Sequence, residues 1–191
     1  MPITLSAKEP FWRFGIANPV LTSYSTEGAS QMAIDNRELR EQLVELIRGG
    51  SAHLDIRTAL TDFPAEKRGA KPNGAPYSPW QLLWHINYAL HDLLDFCVNP
   101  KYLTQKWPDD YWPKEEQPPT ESSWDETARA LQADLAEFEK MIMDPAQNLY
   151  ATIPWGDGQT VLREILLAGD HNSYHLGQIV LLGKQLDSTK A

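Results

Sequence analysis

Two histidines four residues apart, His171 and His175 in GDHNSYHLGQ, are the residues of this chain whose type and spacing most directly suggest chemistry. At about 100° per residue, a helix sets positions four apart on nearly the same side, one turn along. Two imidazoles so placed can share one metal ion, the geometry that HExxH motifs use. The same spacing also suits an exposed or structurally hydrogen-bonded pair. The surrounding residues bear on the choice: Leu162, Ile165, Leu166, Leu176, Ile179, Val180 and Leu182 make the segment strongly apolar. Imidazoles on the inner side of such a helix need partners, because an unpaired buried polar group costs about 1–3 kcal/mol. A metal ion is one such partner, and its third ligand would come from another buried helix.

His85 is the natural candidate. It stands between Trp84 and Ile86 in PWQLLWHINYALHDLLDFC, the most apolar helical stretch of the chain. The alternative is a core histidine bonded to a carbonyl or carboxylate. His91 falls about 240° further round that helix and is expected at the rim. Asp92 returns to nearly the face of His85, either to hydrogen-bond a ligand imidazole across two turns or to remain a solvated charge. Gln178 lies on the face of His175, where it would orient a ligand or bound water, or bond a neighbouring helix. Tyr174 would assist at a metal or pack in the core. His53, beside GGSA, reads as a turn residue unrelated to the site.

Four main helices must position these groups. The first spans about Asn36 to Arg48, with Asp35 as expected N-cap, Glu38 placed for a capping box, and Leu39, Leu43, Leu46 and Ile47 as its apolar stripe. Gly49 and Gly50 end it. SAHLDIRTALTDF suggests a short helical piece, followed by the Pro/Gly-rich PAEKRGAKPNGAPYSP. Ser78 as N-cap and Pro79 at the first position open the helix of His85. VNPKYLTQKWPDDYWPKEEQPPTES then forms a long loop whose Trp107, Tyr111 and Trp112 would wall a substrate cavity or plug the end of the fold. Ser123 is expected to cap WDETARALQADLAEFEKMIM, with Leu131, Leu135 and Phe138 on one face, and a short pairing is expected near Tyr150 to Trp155 before the last helix. The reading is an all-α, antiparallel four-helix bundle with long inter-helix loops. Residues 34–191 form this domain. Residues 1–33 lack a period and read as an extension: a packed arm, or over-extended translation before Met32.

Composition narrows the function classes. The formal net charge is −9 and the pI about 5.0, which disfavours nucleic acid as a partner. Cys97 is the single cysteine, so no intramolecular disulfide forms; this suggests a reducing compartment. No apolar run approaches a membrane span and no leader pattern opens the chain, so a cytoplasmic protein is expected. Asn172 and Ser173 follow His171 where HExxH would carry its glutamate, which counts against a metalloprotease-like mechanism. Cys97 sits at a helix C-terminal end, where the dipole disfavours a thiolate, so packing is its expected role.

The blocks SPWQLLWHI, WPDDYWP and DHNSYHLGQIVLLGKQL, in this order and with GGSAH after the first helix, resemble the DinB/YfiT-like superfamily of four-helix metalloproteins. The resemblance runs from roughly Asp35 to Leu186. It implies that His85, His171 and His175 bind a divalent transition metal such as zinc, nickel, iron or manganese. It also implies a nucleophile that need not come from the protein: a low-molecular-weight thiol, held at the metal as co-substrate of a metal-dependent S-transferase in detoxification or stress response. The competing expectation is a non-catalytic, stress-associated protein with a structural metal. A small-molecule substrate and a homodimer complete the expected partners.

Overall fold

The computed structural model describes residues 36–188, and the expected 1–33 extension, the Met32 start and the Asp35 cap lie outside them. Among the described residues the chain is all-helical. Its helices are α1 (Arg37–Arg48), α2 (Ile56–Thr61), α3 (Pro79–Val98), α4 (Ser123–Met143) and α5 (Val161–Ser188), with a single 3-10 turn at Ala65–Lys67. No helix among them is long and apolar enough to cross a membrane.

Local sequence explains most boundaries. α3 starts where Ser78 and Gln81 form a reciprocal capping box: the Gln81 N–H donates to Ser78 Oγ at 3.2 Å, and the Ser78 N–H to Gln81 Oε1 at 3.1 Å. α1 ends at Gly49, whose φ of 69° suits a residue without Cβ. Among the described residues, Asn36 directly precedes α1 and no side chain caps that end. One cap expectation is corrected. Ser122 precedes α4, while the Ser123 hydroxyl accepts from the Thr120 N–H at 3.1 Å instead. The pairing expected near Tyr150 to Trp155 is a single antiparallel bridge between Thr152 and Thr160.

α3 packs against α4 and α5, and α1 packs against the same two helices. The shared core holds Leu43 and Ile47 from α1, Leu83, Ile86 and Leu90 from α3, Leu131 and Phe138 from α4, and Ile165 and Ile179 from α5. Leu46, expected in the α1 stripe, lies at its edge with 38% exposure, and Leu166 of α5 is 46% exposed. Arg40 instead occupies the buried face of α1. Its guanidinium donates to the carbonyls of Ile142, Asp144 and Gln147, satisfying the free carbonyls where α4 ends. With α3 and α5 held side by side in this core, His85 of one meets His171 and His175 of the other.

Candidate metal centre

One ring nitrogen from each of His85, His171 and His175 falls within a cluster whose atoms all lie within 4.8 Å of one another. His85 Nε2 and His171 Nε2 are 3.0 Å apart. The fold thus brings together three residues read separately in the sequence, one from mid-α3 and two from α5. His85 and His175 are buried, at 1% and 8% exposure, and His171 is half-buried.

Hydrogen bonds decide which nitrogens are available. His85 Nδ1 donates to the backbone carbonyl of Tyr111 at 2.8 Å, and His175 Nδ1 donates to Gln178 Oε1 at 2.7 Å. Both acceptors lack a proton, so they hold the Nδ1–H tautomer and leave Nε2 with its lone pair. His171 differs. Asn172 lies beside it and favours its protonated form slightly, yet neither His171 Nδ1 nor the Asn172 amide makes a hydrogen bond of normal geometry among the described residues.

Burial keeps the rings neutral. It lowers His85 from the usual value to about 4, against the raising effect of the Tyr111 carbonyl and with a further push from His175. It lowers His171 to about 3, helped by the charges that His175 and His85 would carry. His175 is also lowered by burial, against its bond to Gln178. Neutral imidazoles are the form that ligates metals. Two lone pairs 3.0 Å apart repel unless a proton or cation sits between them, and that separation lets both reach one ion at about 2.0–2.1 Å. The residues present therefore fit a divalent transition metal with nitrogen preference and open coordination positions.

The neighbouring candidates sort themselves by contact. Trp112 lies flat on His85, ring centroids 3.9 Å apart and 7° from parallel, and Tyr77 stacks on its other face at 3.8 Å. Trp107 instead packs edge-on against Tyr111 at 5.1 Å. Gln178 orients His175 within α5 rather than bonding another helix. Tyr174 is exposed rather than in the core, with its ring edge 4.8 Å from His175. Asp92 is buried, so the solvated-charge reading is corrected. Its carboxylate reaches no imidazole: Tyr111 Oη donates to Oδ2 at 2.6 Å and Tyr102 Oη to Oδ1 at 2.9 Å. Asp92 anchors the loop residue whose carbonyl holds His85. His91 faces Asp134 at 3.2 Å on the exposed side, and His53 is exposed beside α1.

The sequence reading missed Tyr111 as the partner of His85, because a backbone carbonyl supplied by a loop leaves no mark in residue type. It also missed Glu164, which is 1% exposed. Its position, seven residues before His171 and eleven before His175, places it on their helix face, and that spacing was a usable signal. Cys97 is partly buried, and burial raises its thiol well above the usual range, as expected of a packing residue.

A profile of the DinB superfamily matches residues 52–179, more than half of the chain and inclusive of all three histidines. The chain belongs to the DinB superfamily. The matched stretch is shorter at both ends than the resemblance read from the sequence, and α1 lies outside it. No curated protein and no solved structure gives a significant match.

Proposed function

We propose, from membership of the DinB superfamily, that this chain is a metal-dependent enzyme in which His85, His171 and His175 hold one divalent transition-metal ion. The observation that carries the reading is the meeting of three neutral imidazoles, two buried and one half-buried, with Nδ1 of His85 and His175 held by an acceptor and Nε2 left free. When bound, such an ion supplies positive charge that lowers the pKa of a thiol or water and polarises a substrate oxygen. The protein's part is positional. Tyr111 and Gln178 fix two rings, Asp92 fixes Tyr111, and Trp112 covers the face of His85 against water. The reading takes α1, α3, α4 and α5 as an antiparallel four-helix bundle whose α3 and α5 present the ligands.

The substrate reading is S-transfer from a low-molecular-weight thiol to a small electrophile. The absence of a cysteine nucleophile at the histidines among the described residues supports it, since Cys97, the one cysteine, is a partly buried thiol with a raised pKa. Leu166, Tyr174 and Leu181 are exposed along α5 and support a homodimer. The competing reading is a structural ion that pins α3 to α5. The near-complete burial of His85 under Trp112 favours it. Chelation followed by reconstitution separates the two. Metal-dependent conversion of a thiol and a halogenated aromatic electrophile, with a small change in Tm, supports the enzyme. A large fall in Tm with no turnover on any thiol supports the structural ion.

A further inference from the structure

Asp92 and Leu93 line two spaces. One is a void of about 10 Å³ that also touches His171. The other is a cavity of about 60 Å³ that the histidines do not line, walled by Asp92 and Phe96 of α3, Tyr102 of the 99–122 connection, Trp155 of the following turn, and Arg163 and Glu164 of α5. We propose that this second cavity binds a small organic ammonium ion.

Charge is the first argument. Asp92 and Glu164 are 7% and 1% exposed, and Arg163 Nη1 donates to Glu164 Oε1 at 2.5 Å. Asp92 is held by two neutral phenols, Tyr102 and Tyr111. Among the described residues, the wall therefore carries two buried carboxylates and one guanidinium, with the exposed Asp157 adding a third carboxylate at the rim. A buried charge without a counter-charge is costly, and one monovalent cation balances the buried groups. Burial raises the pKa of both carboxyls, the Tyr111 and Tyr102 hydroxyls lower Asp92, and Arg163 lowers Glu164; a cation in the cavity would favour the ionised pair further.

Shape and donor chemistry select an ammonium. Phe96 and Tyr102 meet edge to face at 5.0 Å, and the Trp155 Nε1–H donates to the Phe96 carbonyl at 2.8 Å, which fixes the indole. Aromatic faces beside carboxylates favour an organic cation. The turn closes tightly over Phe96 because residue 156 is glycine: a Cβ there would stand 2.8 Å from Phe96 Cζ and 2.7 Å from Gln159 Oε1. The site is thus built into the fold, with room for a head group of a few heavy atoms. Each Asp92 oxygen accepts one tyrosine hydroxyl and keeps a second lone pair for an N–H donor, and the aromatic walls favour an organic cation over a hydrated metal ion.

The inference stands apart from the histidine site, and its test separates the two. The full-length protein, metal-free and separately zinc-loaded, is titrated at constant ionic strength with ethylammonium, with n-propanol as the neutral control, and with potassium and magnesium chlorides. Two-dimensional NMR of assigned amide and indole N–H groups reports binding. The expected result is a saturable one-site shift centred on the Trp155 indole and the Gly156 amide, given by ethylammonium alone and unchanged by zinc. Glu164→Gln should weaken it at least tenfold. Asp157→Asn, a surface change at the exposed rim, should weaken it about two- to fivefold, the scale of an exposed charge. Unsaturable shifts spread over surface carboxylates, equal binding of propanol, binding of the metal ions alone, or shifts confined to the histidines would each overturn the proposal. Failure to bind any transition metal with ethylammonium binding intact would sink the proposed function and leave this site standing.

Discussion

The histidine cluster and the Asp92–Glu164 cavity lie between the same two helices, and burial acts on both with opposite chemical results. Around His85 it drives bases to the neutral form, with lone pairs that a cation can take. Around Glu164 it also pushes toward neutrality, but there the groups are acids, and Arg163, Tyr102 and Tyr111 answer the negative charge instead. One region is short of a Lewis acid and the other of a positive charge. Titratable groups in one interior can thus mark two kinds of site, distinguished by which protonation state the neighbours hold. Tyr111 joins the regions, since its carbonyl serves His85 and its hydroxyl serves Asp92.

The comparison breaks most visibly if the histidines are removed. His85→Ala, or the pair His171→Ala/His175→Ala, should reduce bound metal from about one ion per chain to background, while Asp92→Asn retains metal; atomic emission on dialysed protein checks this. The next effect is pH. Because His85 is lowered from 6.5 to about 4, the unfolded metal-free chain binds protons between those values that the native state refuses. Stability is therefore intact above pH 6.5 and lost as pH falls through that window, on the order of 3 kcal/mol by pH 4 from His85 alone. Asp92 and Glu164 act oppositely: their raised values make the native state hold protons that the unfolded chain has released, so they favour folding as pH falls toward their unfolded values near 4. Urea melts of wild type and Glu164→Gln across pH 4–7 should show a steeper acid loss in the variant; a shallower one would contradict the assignment.

Smaller effects sharpen the picture. Gln178→Ala leaves His175 without its acceptor and should weaken metal affinity about tenfold, measured by chelator competition. Ser78→Ala, away from the imidazole ligands, should cost about 1 kcal/mol of stability through the lost cap and leave metal affinity unchanged.

The sequence carried the parts of this account that depend on helical periodicity. His171 and His175 share a face because they are four apart, and His85 declares itself by lying in an apolar helix; the Ser78–Pro79 start is equally local. Ser123 missed the cap position by one residue, since cap position follows the dihedrals of the turn rather than residue type alone. The Tyr111 carbonyl was illegible because it arrives from a loop 26 residues away in sequence. The role of Arg40 was equally illegible, because the α4 carbonyls it finds lie more than a hundred residues on. Asp92 was placed on the right face, but its tyrosine partners come from the loop.

The most direct test of the central claim is the metal content of protein purified without chelator or histidine tag, with the tautomers of its imidazoles read by nitrogen-15 NMR. The account predicts about one transition-metal ion per chain and, for His85 and His175, Nδ1 protonated and Nε2 bound to metal. Protein that contains no metal and takes up neither zinc, nickel nor manganese, with Nε2 of those rings protonated, would contradict it.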